Sequence, residues 1–67
     1  MFNKKLLKIK MIQQDDTARG LAKHLNINES TLWRKMSGDT DFLHDEIKQI
    51  KERYNLTSVE VETIFLS

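Results

Sequence analysis

The 67-residue chain contains no cysteine and no proline, and glycine occurs only at Gly20 and Gly38. Without cysteine there is neither a disulfide framework nor a thiolate metal site to brace a small core. That fits a reducing cytoplasm. His24 and His44 lie far apart with no ligand-like spacing, so no metal is expected. No apolar run approaches the ~18 to 20 residues that cross a bilayer, so no membrane association is expected either. The opening "MFNKKLLKIKMIQQ" sets lysines before apolar residues, as a signal peptide does. Its lysines continue through the apolar positions and no small-residue cleavage site follows, so it reads as the first helix of a cytoplasmic protein. Paired carboxylates, a nucleophile–histidine set and a glycine-rich phosphate loop are also missing. The expectation is a protein without enzymatic activity or cofactor.

What is present is a lopsided distribution of charge. The net charge is +1, but residues 1–38 carry a balance of +5 and residues 39–67 a balance of −4. A basic half points to a polyanionic partner, with the acidic half turned away from it. At this length only roughly 60% of the unfolded surface can be buried, which limits the chain to one small domain spanning residues 1–67.

No segment alternates apolar and polar residues with β-branched enrichment, so no strand is predicted. A first helix over residues 3–13 places Phe2, Leu6, Ile9 and Gln13 at helical spacing, widened by Leu7 and Met11. "QQDD" breaks that pattern. Thr17 is a candidate N-cap for a second helix ending near Leu25, with Leu21, Ala22 and Leu25 inward. Asn28 is a candidate N-cap for a third helix over 29–37, whose apolar pair is Leu32 and Met36, and Gly38 stops it. A fourth helix is expected over 44–54, with Ile47, Ile50 and Tyr54 inward and Phe42 plugging the core ahead of it. "TSVE" at 57–60 is a capping-box pattern opening a fifth helix to about residue 65. The predicted fold is all-α, five short helices around one core.

The second and third helices leave almost no room between them. Asn26 tolerates the left-handed conformation and can end a helix abruptly. Ile27 then turns into the core, Asn28 starts the next helix, and the small Ala22 permits close crossing. Leu21, Ala22, Leu25, Asn26, Ile27 and Leu32 at these offsets describe a helix-turn-helix unit.

On those residues "TARGLAKHLNINESTLWRKMSG" resembles the helix-turn-helix of the phage repressor and Cro-type family of transcriptional regulators. "DFLHDEIKQIKERYNLTSVEVETIFLS" is similar to the tail of short Gram-positive phage or prophage regulators. The chain departs from the family in placing Asn26 where many relatives have glycine, and in carrying Gly20 within the second helix. It also has Lys35 at an often apolar position of the third. With Met36 taking the inward role instead, a slight rotation of the third helix is expected.

The resemblance implies a compact repressor-like DNA-binding domain in a bacterial host cell, associated with the nucleoid. Its third helix, about residues 29–37, would enter the major groove of a double-stranded operator. Glu29, Ser30, Trp33 and Arg34 are then the candidate base contacts, and Ser37 is also exposed. Arg34 leads, because a guanidinium matches the O6/N7 edge of guanine. Glu29 either accepts from a cytosine amino group or simply favours the helix N-terminus. Trp33 either meets the DNA backbone or a thymine methyl, or packs against Phe42 or the loop after Gly38. Thr17, Arg19, Asn28 and Lys35 are the phosphate candidates, with capping a compatible role for Thr17 and Asn28. Lys4, Lys5, Lys8 and Lys10 either add nonspecific attraction or form a merely solvated face, and Lys23 and His24 read as exposed and uninformative. Relatives usually bind as dimers; here Val59, Ile64, Phe65 and Leu66 of the last helix either form a homodimer contact or close the core. The competing expectation is a protein-interaction module that binds and modulates a larger phage repressor, favoured by Glu29 on the reading helix and by the weak overall basicity.

Overall fold

Asn3 starts the first helix by accepting the Leu6 N–H at 3.0 Å, which satisfies an amide without a partner inside the helix. The computed structural model describes residues 2–66. Its elements are α1 (Lys4–Gln13), α2 (Ala18–Leu25), α3 (Glu29–Met36), α4 (His44–Tyr54) and α5 (Ser58–Val61), which runs on as a π-helical stretch, Glu62–Leu66. No strand occurs among the described residues.

The first four helices end alike. Asp15, Asn26, Gly38 and Asn55 each adopt a positive φ. In every case the amide of the next residue returns to a carbonyl five positions back: Asp16 to Met11, Ile27 to Ala22, Asp39 to Arg34 and Leu56 to Lys51. This is the Schellman arrangement, which satisfies the orphan carbonyls of a helix end. Two of the residues that follow the left-handed position go inward, Ile27 partly and Leu56 fully, so each of those turns also feeds the core.

That core takes Leu7 from α1, Leu21 from α2, Leu32 and Met36 from α3, Ile50 from α4 and Ile64 from the C-terminal stretch, all essentially inaccessible to water. Burying a side chain of this size is worth about 1.5–3 kcal/mol. The buried face of α1 differs from the expected stripe. Leu7 and Met11 lie inside, Phe2 and Leu6 are partly covered, and Ile9 is 41% exposed. The Asn3 amide donates to the Ile64 carbonyl at 2.6 Å and so ties the start of α1 to the C-terminal stretch.

The last helix also departs from expectation. Thr57 and Glu60 form the reciprocal capping box, at 2.9 and 3.1 Å, but regular α-helix ends at Val61. The Thr63 hydroxyl donates to the Val59 carbonyl, a side-chain bond that competes with the regular ladder. In the wider winding Ile64 is fully buried and Phe65 joins Phe2 and Phe42, the three rings lying 5.1–5.7 Å apart. Ile64 and Phe65 therefore close the core, while Val59 and Leu66 remain exposed.

One polar cluster links the α1–α2 corner to the far end of α4. Asp16 Oδ2 accepts from Arg53 Nε at 2.8 Å and from the Tyr54 hydroxyl at 2.6 Å. Its Oδ1 accepts from Arg53 Nη2 at 3.1 Å and from the Thr17 amide at 2.9 Å. The Arg53 hydrogen bonds, with help from Tyr54 and Thr17 and against the cost of burial, hold the Asp16 carboxyl down to about 2. Burial and the neighbouring carboxylate push the Tyr54 hydroxyl up.

The cluster also accounts for Gly20. A Cβ at this position would lie 2.7 Å from Asp16 Oδ1 and 3.3 Å from Thr17 Oγ1. Asp16 cannot swing aside without giving up its bonds. Gly20→Ala is expected to lower stability in urea denaturation by about 1–2 kcal/mol, although alanine favours an open helix by about 1 kcal/mol. Asp16→Asn is expected to cost about 2 kcal/mol at neutral pH. The folded carboxyl titrates near 2 against an ordinary 3.8, so its contribution is complete above the ordinary value and is lost as pH falls through the folded one. The difference between wild type and Asp16→Asn should therefore shrink as pH falls from about 4 to about 2, measured by denaturation across that range.

Candidate nucleic-acid interface

Helices α2 and α3 are eight residues each and are separated by Asn26, Ile27 and Asn28 alone. Thr17 opens α2 by accepting the Gly20 amide at 3.0 Å. Asn26, at φ 59° and ψ 42°, reverses the chain, and Asn28 is extended before α3 begins. Asn28 makes no side-chain capping bond, and among the described residues no side chain accepts from the first amides of α3.

The fold divides α3 into two faces. Leu32, Lys35 and Met36 point inward. Glu29, Ser30, Trp33, Arg34 and Ser37 are exposed at i, i+1, i+4, i+5 and i+8, one continuous stripe along the helix. Among the described residues Arg34 has neither an ion-pair nor a hydrogen-bond partner for its guanidinium. A shallow concavity beside the turn brings together Arg19, Lys23, Asn28 and Glu29. Two of the four phosphate candidates, Arg19 and Asn28, thus share one site. Lys23 belongs with them and was missed by sequence reasoning; its i, i+4 spacing from Arg19 was the available signal. Thr17 is exposed at the start of α2 and is engaged in capping.

Lys35 is a correction. It is only 8% exposed, donates to the Asp41 carbonyl at 3.1 Å and pairs with Glu46 at 3.0 Å. Glu46 is equally buried and accepts the Leu43 amide at 2.8 Å, half of a capping box at the start of α4. A buried ammonium with these partners does not reach a phosphate. Position 35 is inward, and an ion pair fills it beside Met36.

Trp33 is a second correction as to packing partner. Phe42 belongs to the cluster with Phe2 and Phe65, whereas the Trp33 ring faces α1. It borders an apolar groove with Lys8, Met11, Ile12, Ala18 and Met36, and the Lys8 ammonium sits 5.9 Å from the ring centroid. The indole remains 39% exposed, and its N–H donates to Glu29 Oε2 at 3.4 Å.

No group of three or more potential metal ligands occurs among the described residues, and none of their helices is long and apolar enough to cross a membrane. Comparison of the chain with protein-family models, with curated proteins and with solved structures gave no match.

The Lys35–Glu46 pair has a measurable signature. Lys35→Ala strands the Glu46 carboxylate in the interior and is expected to cost about 3–5 kcal/mol. Replacing both residues with leucine removes both desolvated charges and is expected to restore stability to the wild-type level or above, as read by chemical denaturation.

Proposed function

We propose that this chain is a sequence-specific DNA-binding transcriptional regulator of the phage Cro or short-repressor type, with α2 and α3 acting as its helix-turn-helix. One observation carries the reading: an exposed polar stripe along α3 with the unpaired Arg34 at its middle, flanked by Arg19 and Lys23 at the turn. A helix fits the major groove, and a free guanidinium matches the O6/N7 edge of guanine bidentately. Lys10, Lys35 and Arg53 are already spent on internal partners, Lys35 on the inward face of α3 and the other two outside the helix pair. The role has two parts. Arg34 and Ser30 read bases, while Arg19, Lys23, Thr17 and the unscreened α3 amides near Asn28 take phosphates.

One such helix covers only a few base pairs, so the functional unit is a homodimer on two half-sites. Val59 and Leu66, 72% and 69% exposed, are the apolar residues of the C-terminal helix still open to a second copy.

A second reading has its own support. The apolar groove between α1 and Trp33, bounded by the 75%-exposed Ile12, favours a protein partner such as a larger phage repressor. Salt dependence separates the two, because binding through several phosphates weakens by orders of magnitude between 50 and 200 mM salt.

Selection from a random duplex pool at about 150 mM salt tests the proposal. Enrichment of an inverted repeat with half-sites about 34–36 Å apart is expected. On that site Arg34→Ala should weaken binding by about 1–3 kcal/mol and relax one guanine. Arg19→Ala and Lys23→Ala should each weaken all sequences alike and lower the salt slope by about 1. Failure to enrich any sequence with folded protein would turn the assignment to the repressor-binding reading.

A further inference from the structure

The feature of α3 that the proposed function leaves unused is a carboxylate on the reading face. Glu29 stands in the first turn of α3, exposed, on the same stripe as Arg34. Towards a polyanion an acidic side chain is repelled by every phosphate. It is tolerated only where it meets a donor on a base edge, or where it stays clear of the duplex and serves the helix terminus.

The contact of Glu29 with Trp33 bears on the choice between these roles. A glutamate that only serves the helix terminus needs no side-chain partner. Here Glu29 Oε2 accepts the indole N–H of Trp33 one turn later, at 3.4 Å. The indole is itself anchored: its ring borders the groove formed with Met11, Ala18 and Met36, and the Lys8 ammonium of α1 lies over it. Glu29 is thus linked, through the Trp33 ring, to a second helix. Among the described residues no donor meets the other oxygen, Oε1. Restraining a long side chain before binding removes part of the entropy cost of fixing it in a complex.

We infer that Glu29 is a specificity-determining residue that reads a cytosine, Oε1 accepting from its N4 amino group, and that Trp33 is the positioning residue holding it there. Cytosine is the base that suits a carboxylate. Its amino donor is flanked on the major-groove edge by the C5 carbon, whereas the adenine amino group lies beside the N7 acceptor, which repels the second carboxylate oxygen. Guanine and thymine present only acceptors or a methyl group to this position. With Arg34 on the same stripe, each half-site then contains a guanine read by the cation and a cytosine read by the anion. The negative charge acts chiefly by rejecting other bases: a wrong base leaves the carboxylate desolvated against an acceptor.

This inference rests on the DNA-reading assignment, and the test keeps the two separable. Wild type, Glu29→Gln and Trp33→Phe are each taken through duplex selection at the same salt, with circular dichroism melting to establish that each is folded. Phenylalanine retains an apolar ring in the groove but lacks the N–H donor. Wild type is expected to enrich a cytosine at one position of each half-site, and replacing it should weaken binding about tenfold. Glu29→Gln should change the preferred base at that position from cytosine to adenine, since an amide matches adenine N6/N7, and leave the rest of the site intact. Trp33→Phe should reduce the cytosine preference about threefold with the guanine preference at Arg34 retained, a selective change that general loss of packing does not produce. An enriched site whose base preferences are the same in Glu29→Gln as in wild type overturns the inference while leaving DNA reading in place. A cytosine preference that stays at wild-type strength in Trp33→Phe, while Glu29→Gln shifts the base, overturns the positioning role. No enrichment by folded wild type removes the DNA-reading assignment and this inference with it.

Discussion

The Asp16 carboxylate is the contact through which the two halves of the chain are held in register. It stands immediately after the left-handed Asp15 that ends α1 and immediately before the residue that caps α2. Four donors converge on its two oxygens, two of them from Arg53 and one from Tyr54 at the far end of α4. The corner between α1 and α2 is therefore fastened to an element 37 residues away. In a chain without cysteine, such a long-range polar clasp limits how α2 can tilt on the core. Charge-assisted bonds of this kind are roughly twice as strong as neutral ones. Gly20 follows from the same contact, because the carboxylate occupies the space where a Cβ would stand. The softening that glycine brings to an eight-residue helix is offset by the clasp that requires it.

From α2 the constraint passes to α3 through three residues. Asn26 reverses the backbone, Ile27 drops against the core, and Asn28 restarts the chain in an extended conformation. The direction of α3 is then fixed at its other end by Lys35, whose ammonium joins the loop carbonyl of Asp41 to Glu46 at the start of α4. An apolar residue at position 35 would also fill the volume. An ion pair with two further backbone bonds tolerates far less sliding or rotation, because displacement leaves buried charges unmatched. The outward stripe of Glu29, Ser30, Trp33, Arg34 and Ser37 is the complement of that inward anchoring.

The helices were largely legible in the sequence because their signals are local. Caps at Thr17 and Thr57, the left-handed Asn26 and Gly38, and the 3.6-residue spacing of Leu21, Leu25, Leu32 and Met36 depend on neighbours within one turn, and Asn28 stands at the N-cap position of α3 without a side-chain capping bond. What escaped was long-range. Nothing adjacent to Asp16 signals that Arg53 and Tyr54 will meet it. Lys35 reads as a surface lysine until Glu46 is known to face it, and the inward choice of Leu7 over Ile9 in α1 was ambiguous among closely spaced apolar residues. The Trp33 ring was similarly undetermined. Its partners Lys8 and Met11 come from a different helix, while Phe42, close in sequence, was taken into a ring cluster with Phe2 and Phe65. The π-helical widening at Glu62–Leu66 escaped for the same reason, since it serves Ile64 and Phe65 at the core rather than local propensity.

The division between satisfied and unsatisfied charge is the last step of this logic. In a small domain every cation committed to an internal partner contributes to holding the fold, and every cation left without one is available to something outside it. Lys10 and Lys35 have carboxylate partners on other helices, and Arg53 has Asp16 in the α1–α2 corner. Arg19, Lys23 and Arg34 have none among the described residues, and all three belong to the α2–α3 pair. Long charged side chains lose rotamer entropy on ordering, and exposed pairs between them stabilise by at most about 1 kcal/mol, so leaving these three unpaired costs the fold little. For a polyanionic partner the consequence is larger, because an unpaired cation can meet a phosphate or a base edge without first breaking an internal bond. The sequence asymmetry, basic before residue 39 and acidic after it, understates this effect. What matters is which cations folding commits to internal partners: Lys10, Lys35 and Arg53 are taken, while Arg19, Lys23 and Arg34 stay open along the helix pair, as Lys4, Lys5, Lys48 and Lys51 do on α1 and α4.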